Sequence, residues 1–255
     1  MGTAPKIITK KTSDTLTYVK AWDSLNMQVS DCNVDVKNIT DFALGVRGNS
    51  HLRIIDIGCG AAHHDFLLAQ LGHTCIGIDR NNDIISYARS LYPSLELHCG
   101  DILANGAQSI GNFDMVICKH LALPKDELKT VLKKANALLR NHEKGLLCFD
   151  FLVSDGNPLT KEFTWAETID TLDVKGIRKS RFALSDGYYA WNEEYDLSTA
   201  DGYKTKVFNE RKLHFIIEAE LSSMLKNAGV EVQEKRYENS GIDGMKGVGV
   251  YGIVS

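Results

Sequence analysis

The chain has 255 residues, of which 44% are hydrophobic and 24% are charged, and its formal net charge is -4. This composition excludes a collagen-like or disordered chain, and no apolar run approaches the roughly 18 residues of a membrane span. The acidic balance gives no sign of the basic face with which proteins bind nucleic acid.

Two short amphipathic helices are predicted near the N-terminus. After a polar tail of about 14 residues, Tyr18, Trp22 and Leu25 recur at a helical spacing. A second helix is predicted over residues 34–44. The polar stretch 45–50 then predicts a break before the rest of the fold.

Between residues 52 and 151, short apolar strands alternate with helices. Strands are predicted at 52–57, 74–78, 95–98, 113–118 and 145–151. Helices are predicted at 61–71, 83–91 and 126–139. This alternation favours a parallel sheet with helices on both faces. A helix at 218–228 and strands at 230–232 and 247–254 follow near the end.

Residues 155–215 depart from this pattern, because aromatic and charged residues mix there. Two antiparallel strands, at 188–197 and 204–215, are predicted around a turn at 200–202. We therefore predict an α/β fold with a doubly wound, mostly parallel, seven-stranded Rossmann-like sheet and a small antiparallel cap.

A glycine-rich turn lies where the first buried strand passes into a helix, with Asp56 ahead of Gly58, Gly60 and Ala62. Glycines there let the backbone approach a ligand closely, which a Cβ would block. A dinucleotide-binding motif requires a small residue at the position of His63. Asp56 would repel phosphates, but it suits a ligand that carries an ammonium group.

Acidic residues also follow the next two strands. Asp79 ends the second strand, where a carboxylate can accept hydrogen bonds from two ribose hydroxyls. Asp101 follows the third strand, where an acid can accept the exocyclic amine of an adenine. Because parallel strands end at one edge of a sheet, these acids predict a crevice for a nucleoside with a cationic tail.

The stretch from about Tyr18 to Val254 resembles class I S-adenosylmethionine-dependent methyltransferases, in their small-molecule, N-methyltransferase-like branch. The family's acid and first two glycines are met at Asp56, Gly58 and Gly60, while Ala62 replaces the last glycine. The resemblance implies S-adenosylmethionine as cofactor and S-adenosylhomocysteine as product.

The resemblance also implies which residues bind the cofactor. Asp79 is expected to hold the ribose, and Lys119 is expected to border the methionine end. Asp101 and Ile102 are expected to hold the adenine. The full set expected to bind the cofactor is Tyr18, Asp56, Gly58, Cys59, Gly60, Asp79, Arg80, Asp101, Ile102 and Lys119.

His120, after the fourth strand, is the predicted catalytic base. The alternative is that it only contacts the cofactor or packs locally. Trp22, Tyr189 and Trp191 are predicted to bind the acceptor. The alternative is that these aromatic side chains simply pack on a helix or on half-buried strand faces.

No metal ion is expected. Common metal-ligand side chains are adjacent at His63, His64 and Asp65, but neighbouring residues at the start of a helix point about 100° apart. Such residues cannot easily share one ion.

The predicted function is methyl transfer to a small-molecule acceptor, with an amine nitrogen preferred over oxygen. The alternatives are an RNA or protein methyltransferase, an NAD-dependent oxidoreductase, and a non-catalytic cofactor-binding protein. No nucleic-acid or membrane partner is expected, and a homodimer is compatible with the sequence. No two cysteines stand in a C-x-x-C arrangement, and no signal peptide is recognised. Together these features predict a cytoplasmic location.

Four segments follow from this function. Residues 1–50 are predicted to form a tail and lid helices, and residues 51–154 the cofactor-binding core. Residues 155–215 are expected to cap the acceptor pocket. Residues 216–255 are expected to complete the core with a helix and the last strands.

Overall fold

The computed structural model describes residues 12–29, 31–48, 51–104, 111–120, 123, 125–139, 144–154, 162–185, 188–213, 216–239 and 245–254. Residues 1–11, the first part of the predicted tail, lie outside them. The chain forms two compact units. The small unit comprises Met1–Asp31 and Asn157–Phe215, and the core unit comprises Cys32–Gly156 and Ile216–Ser255.

Six helices and twelve strands are present in the described part of the chain. The helices are α1 (Thr12–Val29), α2 (Cys32–Arg47), α3 (His63–Gln70), α4 (Asn82–Leu91), α5 (Lys125–Leu138) and α6 (Glu218–Asn227). The strands are β1 (Arg53–Ile57), β2 (Thr74–Asp79), β3 (Glu96–Cys99), β4 (Met115–Cys118), β5 (Gly145–Ser154), β6 (Phe163–Asp170), β7 (Val174–Ser185), β8 (Tyr188–Thr199), β9 (Lys204–Leu213), β10 (Ile216–Ile217), β11 (Val230–Asn239) and β12 (Met245–Val254). None of these helices is both long and apolar enough to cross a membrane.

The core unit contains one sheet with the strand order β11-β12-β5-β4-β1-β2-β3. Strands β3, β2, β1, β4 and β5 run parallel, while β12 is antiparallel to both β5 and β11. The predicted mostly parallel, seven-stranded sheet is confirmed. The two-residue strand β10, which was not predicted, pairs with β5 as an eighth strand.

Helices cover both faces of this sheet because successive side chains of a strand point to opposite sides. Ile54 packs in the cluster that includes residues of α2 and α3. Ile55 and Ile57 pack in the other cluster, with residues of α5 and α6. Burial on both faces explains why the parallel strands read as continuous apolar runs. The carboxyl ends of these strands meet at one edge of the sheet.

The small unit combines α1 with a four-stranded antiparallel sheet in the order β6-β7-β8-β9. A charged network lies within it. The side chain of Glu193 is fully buried and accepts hydrogen bonds from Arg178 at 3.0 Å, Arg211 at 2.7 Å and Asn209 at 2.8 Å. The predicted antiparallel sheet is confirmed, and β6 and β7 extend it beyond the two predicted strands.

Candidate active site

The turn after β1 has the backbone shape that its glycines favour. Gly58 has φ 76° and Gly60 has φ 56°, in the left-handed region that side chains disfavour. Ala62 has φ 63°, so this alanine carries strain of about 1–2 kcal/mol that a glycine would not. The N–H groups of Gly58 and Cys59 both donate to the carbonyl of Ile78, at 2.8 and 3.2 Å. These bonds tie the turn to β2.

Asp79, at the end of β2, is held by two backbone N–H groups. Its Oδ2 accepts from Gly60 at 3.2 Å, and its Oδ1 accepts from Asn81 at 2.8 Å. Burial raises the pKa of Asp79, while these two hydrogen bonds oppose the rise. A carboxylate has about four acceptor positions, so Asp79 keeps capacity for ligand hydroxyls.

A cleft opens at this edge of the core unit. It brings together Gly58, Asp79, Arg80, Asp101 and Ile102, which are five of the residues expected to bind the cofactor. The rest of its lining is mostly apolar and consists of Ile57, Ile78, Gly100, Leu103, Leu123 and Val131. Carboxylates beside an apolar wall suit the sugar and the base of a nucleoside.

Asp56 does not line this cleft. Its side chain is buried on the face that carries α3, beside the equally buried Asp65. Burial, together with the charge of Asp65, raises the pKa of Asp56 well above its usual value, and burial raises the pKa of Asp65 to about 7. The carboxyl group of Asp65 interacts with that of Asp56 and with its own backbone, and no other described residue donates a hydrogen bond to it. The two acids therefore share a proton at neutral pH.

Replacing Asp65 with asparagine should make the protein less sensitive to alkaline pH. When folding raises the pKa of an acid, the free energy of unfolding falls as the pH rises from the pKa in the unfolded chain, about 4, through the pKa in the folded protein. The free energy of unfolding should be measured with denaturant at pH 5 and pH 8. Relative to the wild type, that of the variant should be higher at pH 8 than at pH 5 by about 2–4 kcal/mol.

The matched control is Asp126→Asn on α5, whose carboxylate is 96% exposed. It should follow the wild type at both pH values. If Asp65→Asn also follows the wild type, the shared proton is refuted.

A second polar cluster surrounds His120, just after β4. Nε2 of His120 and Nε2 of His64 lie 3.1 and 3.2 Å from the same oxygen, Oδ2 of Asp35. The two imidazole rings stack with centroids 6.0 Å apart. His120 has φ 56°, a strained conformation for a non-glycine residue that is frequent at functional sites. The side chain of His120 is 48% exposed, while that of Asp35 is buried.

Lys119 connects this cluster to β5. Its Nζ lies 3.0 Å from Oδ1 of Asp35 and 2.6 Å from Oδ1 of Asp150. Nδ1 of His120 lies 3.7 Å from Oδ2 of Asp150. Two carboxylates and one ammonium leave one net negative charge when the imidazoles are neutral.

The partners in this cluster oppose the effect of burial on each pKa. Burial alone raises the pKa of Asp35, but hydrogen bonds from both imidazoles and the charge of Lys119 bring it far below its usual value. Burial lowers the pKa of His120, yet Asp35 and Asp150 raise it above the ordinary histidine value. The pKa of Lys119 is also raised, by Asp150 and Asp35 against burial. Asp35 and Lys119 are therefore both charged at neutral pH.

The ligand atoms of Asp35, His64 and His120 lie within 4.8 Å of one another, which is close enough to hold a metal ion. In the structure, however, the Asp35 carboxylate is already balanced by Lys119. His63 contacts Tyr92 at 2.7 Å, and Asp65 faces Asp56. The three adjacent residues at the start of α3 thus have three separate partners.

Four of the predicted site residues lie in the small unit. Tyr18 packs edge-on against Tyr195, with ring centroids 5.0 Å apart, and burial raises the pKa of Tyr18 to about 12. Tyr189 stacks on the ring of a neighbouring phenylalanine. Trp191 lies under the guanidinium of Arg211, at 4.7 Å. Trp22 is half-buried on α1.

Three acids of these clusters were not predicted as site residues. Asp150 interrupts the apolar strand β5, and this interruption was a usable signal. Asp35 and Asp65 lie on helices, where a polar residue normally faces solvent. Nothing in their local sequence distinguishes them from exposed acids.

Comparison with known proteins places the chain in a family. The methyltransferase domain family matches residues 48–175, which is half of the chain. Among curated proteins, none matches the chain in sequence.

Solved structures share the fold at low sequence identity. DesVI of Streptomyces venezuelae has a TM-score of 0.74 at 15% identity, over 93% of this chain and 98% of DesVI. S-adenosylmethionine-bound CalS10, an amino pentose methyltransferase from Micromonospora echinaspora, has a TM-score of 0.66 at 18% identity, over 91% and 95%. The sugar N-methyltransferase KedS8 from Streptoalloteichus has a TM-score of 0.61 at 17% identity, over 94% and 88%. The chain therefore belongs to the methyltransferase domain family and is an S-adenosylmethionine-dependent methyltransferase.

Proposed function

We propose that the enzyme methylates the amine nitrogen of a small molecule, and that amino sugars are the first class to test. The observation that carries this proposal is the cluster around His120, in which Asp35, Asp150 and Lys119 sum to one net negative charge while His120 is neutral. Such a site attracts a cationic amine and disfavours phosphate-bearing acceptors. The fold of the chain is similar to that of an amino pentose methyltransferase and of a sugar N-methyltransferase, which also supports amino sugars as the acceptor class.

The cofactor is proposed to lie in the cleft at the carboxyl edge of the core sheet. Asp79 and Asp101 would accept hydrogen bonds from the nucleoside, and Ile102 would contact the base. Arg80 and the turn formed by Gly58, Cys59 and Gly60 would enclose it. The apolar wall and the partly used carboxylate of Asp79 fit a nucleoside, which supports this placement. Tyr18, Asp56 and Lys119 complete the proposed set, of which Asp56 would act through the negative charge that it shares with Asp65.

The bound cofactor supplies an electrophilic methyl group on a sulfonium, so the protein's main task is alignment. His120 has the further task of accepting a proton from the acceptor nitrogen. A protonated amine has no electron pair to offer, and a methylated amine must release a proton. With its half-exposed ring, His120 can reach such a group, and the two neighbouring carboxylates stabilise the imidazolium.

The acceptor is proposed to contact Trp22, Tyr189 and Trp191 of the small unit. Indole and phenol rings cover the apolar faces of sugars and attract ammonium groups. The partner is thus a small molecule, with no nucleic acid or membrane. A homodimer and a cytoplasmic location complete the proposal.

The proposed function can be tested by a screen of acceptors that measures S-adenosylhomocysteine. The most informative reagents are matched pairs of sugars that carry an amino or a hydroxyl group at the same ring carbon. We expect turnover with the amino sugar and not with its hydroxyl partner, and N-methylation in the mass spectrum. Turnover only with hydroxyl acceptors, or only with RNA or protein, would show that the acceptor class is wrong.

A further inference from the structure

We propose that Asp35 is the positioning residue that fixes His120 for proton transfer, and that His64 and Lys119 hold the Asp35 carboxylate in place. This inference rests on the proposed role of His120 as the proton acceptor. Three side chains converge on the carboxylate of Asp35 of α2: His64 of α3, and Lys119 and His120, which follow β4.

The first step of the argument assigns the protons. Asp35 is surrounded by Lys119 and two imidazoles, so its carboxylate is ionised and can only accept hydrogen bonds. Nε2 of His120 therefore carries the hydrogen that it donates to Asp35. In neutral His120 the lone pair of the imidazole is therefore on Nδ1, and Nδ1 is the atom that accepts the proton.

The second step is the proton transfer itself. The proton leaves the acceptor nitrogen, which keeps its electron pair, and binds to Nδ1 of His120. The imidazole becomes an imidazolium whose two N–H groups face Asp35 at 3.1 Å and Asp150 at 3.7 Å. A carboxylate that fixes the tautomer and stabilises the imidazolium serves the same purpose in hydrolases that use a serine, a histidine and an aspartate.

The third step concerns what holds Asp35. Its Oδ1 accepts from Lys119 at 3.0 Å, and its Oδ2 is shared with His64 at 3.2 Å. The side chain of Asp35 is only 9% exposed, so water cannot easily replace these partners. Among the described residues of the core unit, the charged and titratable groups shown to face His120 are Asp35, His64, Lys119 and Asp150. This packing keeps the acceptor oxygen fixed for the imidazole of His120.

The direct test is an NMR pH titration of the His120 imidazole, which needs no acceptor. In Asp35→Asn the titration midpoint of His120 should move to lower pH, because the charge that favours the imidazolium is lost. In His64→Leu it should move to higher pH, because Asp35 then has one donor fewer and attracts the His120 proton more strongly. Because the two variants are expected to shift the titration midpoint in opposite directions, either one alone still tests the inference if the other folds poorly.

The control is Asp114→Asn. Asp114 is another buried acid of the core unit, which accepts from the N–H of Arg53 at 2.7 Å and lies 3.6 Å from Arg47. It should leave the titration of His120 unchanged. An unchanged midpoint in both Asp35→Asn and His64→Leu overturns the inference.

Kinetics of a double-variant cycle give the second measurement. Asp35→Asn should lower kcat by about 10- to 1000-fold with KM nearly unchanged, and should cost less than about twofold when His120→Asn is already present. The same loss in both backgrounds means that Asp35 is only structural. Loss of activity on chelation, with recovery on adding Zn²⁺, identifies a metal site instead and also overturns the inference. A His120→Asn enzyme with full kcat would instead refute the proposed role of His120.

Discussion

Replacing Asp79 with alanine is expected to weaken S-adenosylmethionine binding by about 30- to 1000-fold, or ~2–4 kcal/mol. The variant loses a charged acceptor for the ribose hydroxyls. It also leaves the N–H groups of Gly60 and Asn81 without the acceptor that fixes the turn. Titration calorimetry with S-adenosylmethionine measures the change, and S-adenosylhomocysteine should show a loss of similar size because it has the same ribose.

Asp83→Ala is the matched control, because Asp83 is an exposed acid in the first turn of α4, four residues further along. It should bind the cofactor like the wild type. Unchanged affinity in Asp79→Ala would show that the ribose lies elsewhere. Loss for one of the two ligands only would show that Asp79 contacts the methionine end rather than the sugar.

Removing the His120 imidazole is expected to lower kcat by about 10²–10⁴-fold, the usual contribution of a general base. Asparagine is the better replacement, because it tolerates the left-handed backbone of this residue more readily than alanine. Cofactor affinity should stay within about threefold of the wild type. Single-turnover rates and calorimetry on the same preparations separate the two effects.

His63→Ala is the control for this variant, because His63 lies in the same unit but contacts Tyr92. It should keep the wild-type kcat. Equal losses of turnover and cofactor affinity in His120→Asn would reduce His120 to a binding residue. A rise in rate at higher pH in the variant, where an amine loses its proton to solvent, would support the base role.

The parallel core was predictable because each of its elements has a strong local signal. Strand β2 was predicted at 74–78 and spans Thr74–Asp79, and helix α5 was predicted at 126–139 and spans Lys125–Leu138. The buried parallel strands are mainly apolar, Gly72 follows the end of α3, and Pro93 follows the end of α4. These features are visible in the sequence alone.

The antiparallel sheet was harder to predict for a physical reason. Strand β7 was missed because Arg178 lies inside the sheet, where Glu167 and Glu193 neutralise it. A buried ion pair removes the alternation of apolar and polar residues by which strands are recognised. Strand β11 was predicted to end at residue 232, but its polar edge continues to Asn239.

Part of the candidate site could likewise be predicted from the sequence, and part could not. Gly58, Asp79 and Asp101 could be placed together from the sequence because parallel strands end at one edge, and they line one cleft. The partnership of Asp35 with His120 spans 85 positions and depends on how α2 packs on the sheet. Local patterns contain no information about such a contact.

The position of β12 bears on how the protein is made. This strand lies between β5 and β11, so β11 can join the sheet only after residue 254 has been synthesised. Residues 145 and 245 begin β5 and β12. At usual translation rates, synthesis of the chain between these two residues takes about 5 to 20 s, and during this time one edge of β5 is unpaired. Unpaired edges invite aggregation, so a nascent chain of this enzyme should depend on chaperones during that interval.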